Sequence, residues 1–249
     1  MAAFDHSYWE TWSHRLGDRT LLAVVATLMG LGLVVMASAS VDVTVGDRQQ
    51  DTLYFLWRQL GFLLAALMLG FLVLHVPLTV WQRIANGVLV ATVIALIVVL
   101  WTQPVKDVHR WLKVGPFLVQ VSEIAKLGVV IFFAAFLSKH AELLQRGWTQ
   151  LMIALIPLFV VGGLIVKEPD LGTVVILTAT VLGMFFMAGL RWQYLIGLLG
   201  AATVCFVVLI ITKSYRLARV ESFLDPCQSE YVKSSGFQLC YSLVAFDGH

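Results

Sequence analysis

The stretch LMIALIPLFVVGGLIV-KEPD-LGTVVILTATVLGMFFMA, residues 151–188, decides the fold. Its two apolar runs, Leu151–Val166 and Leu171–Ala188, approach the roughly 20 residues that a helix needs to cross a bilayer. Only Lys167-Glu168-Pro169-Asp170 separates them. Proline lacks a backbone N–H and disfavours helix in the residue before it. The stretch therefore predicts two transmembrane helices joined by a tight polar turn.

The same alternation of apolar runs and polar breaks continues along the chain. Of its 249 residues, 59% are hydrophobic and 13% are charged, whereas soluble domains carry roughly 25% charged residues. So few polar groups cannot cover a water-facing surface, which excludes a soluble globular protein. The sequence predicts an all-α, polytopic membrane helix bundle of about seven spans. They lie near Leu21–Ser38, Leu53–Leu74, Ile84–Trp101, Ile124–Leu137, Leu151–Val166, Leu171–Ala188 and Tyr194–Ile211.

These spans divide the chain into three parts. Residues 1–20 form a polar tail, residues 21–211 form the bundle, and residues 212–249 begin an outer loop. That loop stops without a cap or a further apolar run, as in a truncated chain. The fourth apolar run is short, so it is either completed by the polar segment before it or packed within the bundle.

The positive charges conflict with a cytoplasmic N-terminus. The positive-inside rule places the side richer in Lys and Arg in the cytoplasm, but this orientation leaves nine cations outside. Either the rule misleads here or these cations have a function that overrides it. The nine are Arg48, Arg58, Lys106, Arg110, Lys113, Lys167, Lys213, Arg216 and Arg219.

Two ionisable residues stand at or inside the fourth span, where such groups cost about 2.5–3.5 kcal/mol on insertion scales. Glu123 and Lys126 are three residues apart, so they share one helical face. They can neutralise each other as an ion pair that helps the bundle to pack. Alternatively, they line a polar cavity in which the Lys126 ammonium binds a phosphate.

Polar residues near other span ends allow two interpretations each. Asp170 suits the N-cap of the helix that begins at Leu171, or it projects into the same cavity as Lys126. Arg110 lies in the basic and aromatic segment 106–117, which suits a solvated loop or contact with lipid headgroups.

Three further arginines lie next to predicted spans. Arg58 lies one turn into the second span, and Arg216 and Arg219 follow the last span. Long cationic side chains at such positions either extend towards the membrane interface or hold an anionic ligand.

Several chemistries are excluded by composition and spacing. The formal net charge of +2 and the absence of like-charge blocks argue against nucleic-acid binding. The six histidines are scattered, without metal-ligand spacing. Cys227 and Cys240 could pair in an oxidising compartment, but two free thiols are the favoured interpretation.

Several short motifs follow one another along the chain. They are Val34–Ser40, Arg110-Trp111-Leu112 with Gly115, Ser122-Glu123 followed by Lys126, Pro169–Thr173, Arg216 and Arg219 before Phe223-Leu224-Asp225-Pro226, and Ser235-Gly236-Phe237-Gln238. In this order they resemble the SEDS family (shape, elongation, division and sporulation), from about Asp18 to the end of the chain. Three positions depart from the family pattern: Val121 replaces Pro, Glu168 replaces Gln, and Phe237 replaces the commoner Tyr.

The resemblance implies an activity and a location. Members of this family have ten spans with both ends in the cytoplasm, and they polymerise lipid II, a disaccharide-peptide on an undecaprenyl pyrophosphate carrier. The chain is thus expected to be a peptidoglycan glycosyltransferase of the bacterial inner membrane. The division member of the family is favoured, which implies the septum. Expected partners are lipid II, a class B penicillin-binding protein, other division membrane proteins and membrane lipids, but no nucleic acid.

The resemblance also implies roles for individual residues. No catalytic residue is assigned, because the carboxylate proposed as the base in this family would lie beyond His249. No metal ligand is expected, although a divalent cation is compatible with a pyrophosphate-linked substrate. The expected substrate-binding residues are Glu123, Lys126, Asp170, Arg58, Arg110, Arg216 and Arg219.

Two other functions stay open at this point. A carrier or flippase for lipid II could use the same cationic cavity without a general base. A truncated, non-catalytic module could still bind division partners through its spans.

Overall fold

A computed structural model describes residues 19–43, 52–102, 110–114, 117–142, 147–224, 227 and 237–247. Nearly all of the predicted tail 1–20, the start of the segment 106–117 and most of the loop 225–236 lie outside the described residues. The helices are α1 (Arg19–Val43), α2 (Thr52–His75), α3 (Leu78–Trp101), α4 (Val121–His140), α5 (Trp148–Lys167), α6 (Leu171–Met187), α7 (Trp192–Ile211), α8 (Ser214–Leu224) and α9 (Phe237–Asp247). A two-stranded antiparallel sheet joins β1 (Trp111–Val114) to β2 (Phe117–Gln120).

The predicted membrane helix bundle is confirmed as the fold class. Each of the seven predicted spans corresponds to one of the helices α1 to α7. Within the described residues, α2 to α5 and α7 are long and apolar enough to cross a membrane, while α1 and α6 contain shorter apolar stretches. The count of seven spans therefore stays a prediction.

The chain divides into two compact units, Met1–Trp81 and Gln82–His249. In the first unit, α1 packs against α2. Large apolar side chains such as Leu28, Val34, Met68 and Leu74 are more than 60% exposed. Water would disfavour so much exposed apolar surface, whereas lipid does not, so these faces suit contact with the bilayer.

The second unit has its core where α4, α5 and α6 pack together. Phe133 on α4 and Phe185 on α6 are both fully buried, with ring centroids 5.5 Å apart in an edge-on arrangement. Edge-on aromatic pairs add about 0.5–1.5 kcal/mol beyond the area they bury. This core holds α4 and α6 together, and the first residues of both helices belong to the polar site described below.

The fourth span is completed by the polar segment before it. Helix α4 begins at Val121, so it includes Ser122 and Glu123 and reaches 20 residues. The antiparallel hairpin β1–β2 leads directly into this helix, with Trp111 opposite Gln120. The hairpin was not predicted, and it replaces an irregular loop in the part of segment 106–117 that the structure describes.

The prediction of two free thiols at Cys227 and Cys240 is wrong. The two residues form a disulfide with a Cα–Cα distance of 5.0 Å. Sequence spacing could not establish this pairing, because contact depends on how the chain folds between the two residues. Cys205 is a free, exposed thiol.

Gly128 marks a close approach of α3 to α4. A methyl group at Gly128 would overlap Oγ1 of Thr92 and lie 3.3 Å from its Cβ. We expect Gly128→Ala to destabilise the fold by about 1–3 kcal/mol through overpacking. Thermal unfolding of the purified protein in detergent measures this as a lower midpoint.

Gly163 in α5 provides the matched control, because a Cβ there meets nothing within 4 Å. Gly163→Ala should leave the midpoint unchanged or raise it slightly, since alanine favours helix. Adding Thr92→Ala to Gly128→Ala should recover most of the loss, because it removes the clashing hydroxyl. An unchanged midpoint in Gly128→Ala alone would contradict the close approach.

Candidate substrate-binding site

Asp170 is the centre of a polar network at the start of α6. Its Oδ1 accepts a hydrogen bond from the backbone N–H of Thr173 at 3.2 Å, and its Oδ2 accepts one from Oγ1 of Thr173 at 2.9 Å. The predicted N-cap is therefore present. Such a cap satisfies a backbone donor at the helix start. It also places a negative charge at the positive end of the helix dipole, which stabilises the helix.

The same carboxylate also binds residues 48 and 50 positions earlier. Oγ of Ser122 donates to Oδ2 of Asp170 at 3.2 Å, and Nε2 of Gln120 donates to the same oxygen at 3.3 Å. Nε2 of Gln120 also lies 2.9 Å from Oγ of Ser122. Asp170 thus joins the end of β2, the start of α4 and the start of α6 into one rigid corner.

Glu168 lies two residues away and is fully buried. Neither of its carboxyl oxygens has a hydrogen-bond partner among the described residues. Burial, and to a lesser extent the negative charge of Asp170, raise the pKa of this carboxyl from 4.5 to about 7, although the Arg110 guanidinium acts to lower it. Glu168 therefore changes its charge near neutral pH, in the turn between α5 and α6.

Arg110 precedes the hairpin and belongs to the same corner. Its backbone carbonyl accepts a hydrogen bond from the N–H of Val121 at 3.3 Å, beside Gln120 and Ser122. Its side chain is partly buried, and its Nε has no hydrogen-bond partner among the described residues. Arg110 therefore keeps an unused donor, and its positive charge acts on the carboxyl of Glu168.

Glu123 and Lys126 form an ion pair on α4. Nζ of Lys126 lies 2.9 Å from Oε1 and 2.8 Å from Oε2 of Glu123. The side chain of Glu123 is 57% exposed and that of Lys126 is 27% exposed. The first of the two predicted alternatives, mutual neutralisation, is therefore observed. Because both groups remain accessible, the pair can still exchange partners with a ligand.

Two of the other predicted cations make contacts of their own. The Arg58 guanidinium, in the first unit, lies 5.7 Å from the ring centroid of Phe62. Nη1 of Arg216 donates to the carbonyl of Leu209 at 2.8 Å. The side chain of Arg219 lies outside the described residues. Their roles as substrate-binding residues stay predictions.

Gln120, Ser122 and Glu168 belong to the site but were not predicted as site residues from the sequence. Gln120 directly precedes α4, and Glu168 departs from the family pattern at a position where Gln is usual. A charged residue next to Pro-Asp at the end of a span was a usable signal for Glu168, since such groups need a partner or a purpose. Within the described residues, no three His, Cys, Asp or Glu side chains group closely enough to hold a metal ion.

Long apolar helices with a polar corner at their ends define a multi-pass membrane protein with a polar site next to its spans. The chain belongs to the cell cycle protein family of FtsW, RodA and SpoVE, whose model matches residues 18–248.

Relatives with curated names support this assignment. A probable peptidoglycan glycosyltransferase FtsW from Aeromonas salmonicida is 38% identical over 93% of this chain and 58% of its own length. The protein of the same name from Moranella endobia is 35% identical over 95% of this chain and 62% of its own length. The chain thus spans about three fifths of the length of these curated relatives.

Two solved structures resemble the fold. One is a mutant of the rod shape determining protein RodA from Thermus thermophilus, with a TM-score of 0.60, 26% identity and coverage of 80% of this chain and 61% of that chain. The other comes from a peptidoglycan synthase complex, with a TM-score of 0.63, 29% identity and coverage of 86% of this chain and 64% of that chain.

Proposed function

We propose that this chain is part of a division-associated peptidoglycan glycosyltransferase that polymerises lipid II. The observation that carries the proposal is the 38% identity to a probable FtsW glycosyltransferase over 93% of the chain. The assembled corner of Gln120, Ser122 and Asp170 adds support, since it unites two of the motifs by which the sequence resembles the family.

The chemistry of the site suits a pyrophosphate-linked sugar. Transfer of the disaccharide needs positive charge to stabilise the departing pyrophosphate. The Lys126 ammonium is accessible, and it can exchange the Glu123 carboxylate for a phosphate oxygen. Arg110 adds a second cation, and its guanidinium suits phosphate geometry. A divalent cation, if one takes part, would accompany the pyrophosphate.

The disulfide supports an orientation for the chain. Disulfides form and persist in oxidising compartments such as the bacterial periplasm, so Cys227 and Cys240 belong on the periplasmic side. With seven predicted spans between them and the N-terminus, the N-terminus lies in the cytoplasm. The carrier of lipid II then meets the site from the periplasmic leaflet of the inner membrane.

The partner proposed is a class B penicillin-binding protein. A similar fold occurs in a peptidoglycan synthase complex that coordinates polymerisation with crosslinking. A polymerase at the division septum needs such a crosslinking partner, because glycan strands alone do not form a wall.

Polymerisation of lipid II by the complete gene product, reconstituted with its penicillin-binding partner, tests the proposal. We expect glycan polymer from the wild type and a loss of about 100-fold or more in Lys126→Ala, since a charge that stabilises the transition state is removed. Lys139→Ala is the matched control, because Lys139 is exposed in the last turn of the same helix. Full activity in Lys126→Ala would contradict the assigned role.

A further inference from the structure

Helix α8 exposes two apolar residues, next to the exposed polar residues Ser214 and Glu221, and it buries two other polar residues. Arg216 is 9% exposed and Ser222 is 4% exposed, so two polar residues face the protein. Leu217 and Val220 are 39% and 46% exposed. They are three residues apart and therefore lie side by side on the helix. A helix bathed in water would bury such a pair and expose the polar groups.

The location of α8 indicates what covers this pair. Helix α8 begins three residues after α7 ends. Three residues of extended chain span about 10 Å at most, so α8 starts close to the end of α7. Nη1 of Arg216 donates to the carbonyl of Leu209 at 2.8 Å and fixes α8 beside the last turn of α7. Val208 and Ile211 in that turn are 56% and 64% exposed, as expected of a span end that faces lipid.

The length and charge of α8 favour the bilayer surface over its interior. With 11 residues, α8 is too short to span a membrane. Lys213, exposed at the junction between α7 and α8, can bind a lipid phosphate. An amphipathic helix with these features lies in the headgroup region with its apolar side turned towards the acyl chains.

We propose that α8 is an interfacial helix that rests on the phospholipid bilayer through Leu217 and Val220. This contact anchors the start of the outer segment to the membrane. It is independent of the proposed glycosyltransferase activity, since it depends only on the placement of α8 beside the end of α7.

Spin labels at Leu217→Cys and Val220→Cys test the contact in the complete protein, in vesicles of phosphatidylethanolamine and phosphatidylglycerol. A Cys205→Ala background removes the exposed free thiol. Accessibility to oxygen, which partitions into lipid, is compared with accessibility to a water-soluble nickel chelate. Ser214→Cys is the reference position, because Ser214 is exposed in the same helix and lies at the edge of the apolar side, about 60° around the helix from Leu217 and about 120° from Val220.

We expect an oxygen-to-nickel accessibility ratio several-fold higher at Leu217 and Val220 than at Ser214. Nickel accessibility at both positions equal to that at Ser214 would show that the pair faces water and would overturn the proposal. Protection from both reagents would also overturn it, because it would show that a protein surface covers the pair. Labels at two exposed positions keep the result independent of any local effect of one substitution.

Discussion

Asp170→Ala is expected to lower the free energy of unfolding by about 3–5 kcal/mol. The substitution removes an N-cap, worth about 0.5–2 kcal/mol, and charge-assisted hydrogen bonds at about 1.5–3 kcal/mol each, which are not additive. It also leaves the hydroxyl of Ser122, which is fully buried, without its carboxylate acceptor. Thermal unfolding in detergent should show a midpoint about 10 °C lower, at roughly 2–4 °C per kcal/mol.

Two substitutions control this experiment. Asp170→Asn keeps a side-chain oxygen that caps α6 and should lose less than half as much stability, since asparagine is a good N-cap residue. Ser138→Ala removes only a local hydrogen bond to the carbonyl of Ala135, and it should change stability by no more than about 0.5 kcal/mol. Equal midpoints for Asp170→Ala and Ser138→Ala would contradict the role of Asp170 in joining the three elements.

Glu168→Gln is expected to stabilise the protein above neutral pH by about 3 kcal/mol. The pKa of Glu168 is raised from 4.5 to about 7 by burial and by the charge of Asp170. One unit of pKa corresponds to about 1.4 kcal/mol. Glutamine keeps the shape of the side chain but carries no charge that needs to be buried.

Because folding raises the pKa of Glu168, the free energy of unfolding of the wild type decreases as pH rises. Well below pH 4.5 the carboxyl is protonated in both folded and unfolded states. As pH rises towards 7, only the unfolded state releases its proton, so wild-type stability falls, and the loss is complete above about pH 7. Unfolding midpoints from pH 4 to 9 should therefore converge for wild type and Glu168→Gln at pH 4 and separate at pH 8. If the midpoints of the two proteins changed in parallel from pH 4 to 9, the pKa of Glu168 would not be raised in the folded protein.

The helices and the Asp170 cap were predictable, because both depend on local sequence. An apolar run of about 20 residues predicts a membrane helix whatever the rest of the chain does. An Asp directly before an apolar run and after Pro predicts an N-cap. Trp148 and Trp192 begin α5 and α7, and Trp101 ends α3, in keeping with the preference of indole for the interface.

The tertiary part of the site was not predictable from one sequence. The hydrogen bonds of Gln120 and Ser122 to Asp170 join residues about 50 positions apart, and no periodicity encodes that pairing. The hairpin has strands of only four residues, too short for an alternating pattern to be distinctive. The turn dipeptide Gly115-Pro116 was the available signal. The burial of Glu168 depends on how α5 and α6 pack, which follows only from the folded structure.

The most direct test of the proposed function measures polymerisation and transport of lipid II in the same proteoliposomes. The complete gene product is reconstituted with its penicillin-binding partner, and fluorescent lipid II is supplied in both leaflets. A glycosyltransferase predicts glycan strands from the wild type, lost in Lys126→Ala and retained in Lys139→Ala. Movement of lipid II between leaflets with no polymer, from wild-type protein in an intact complex, would contradict the glycosyltransferase and favour a lipid II carrier.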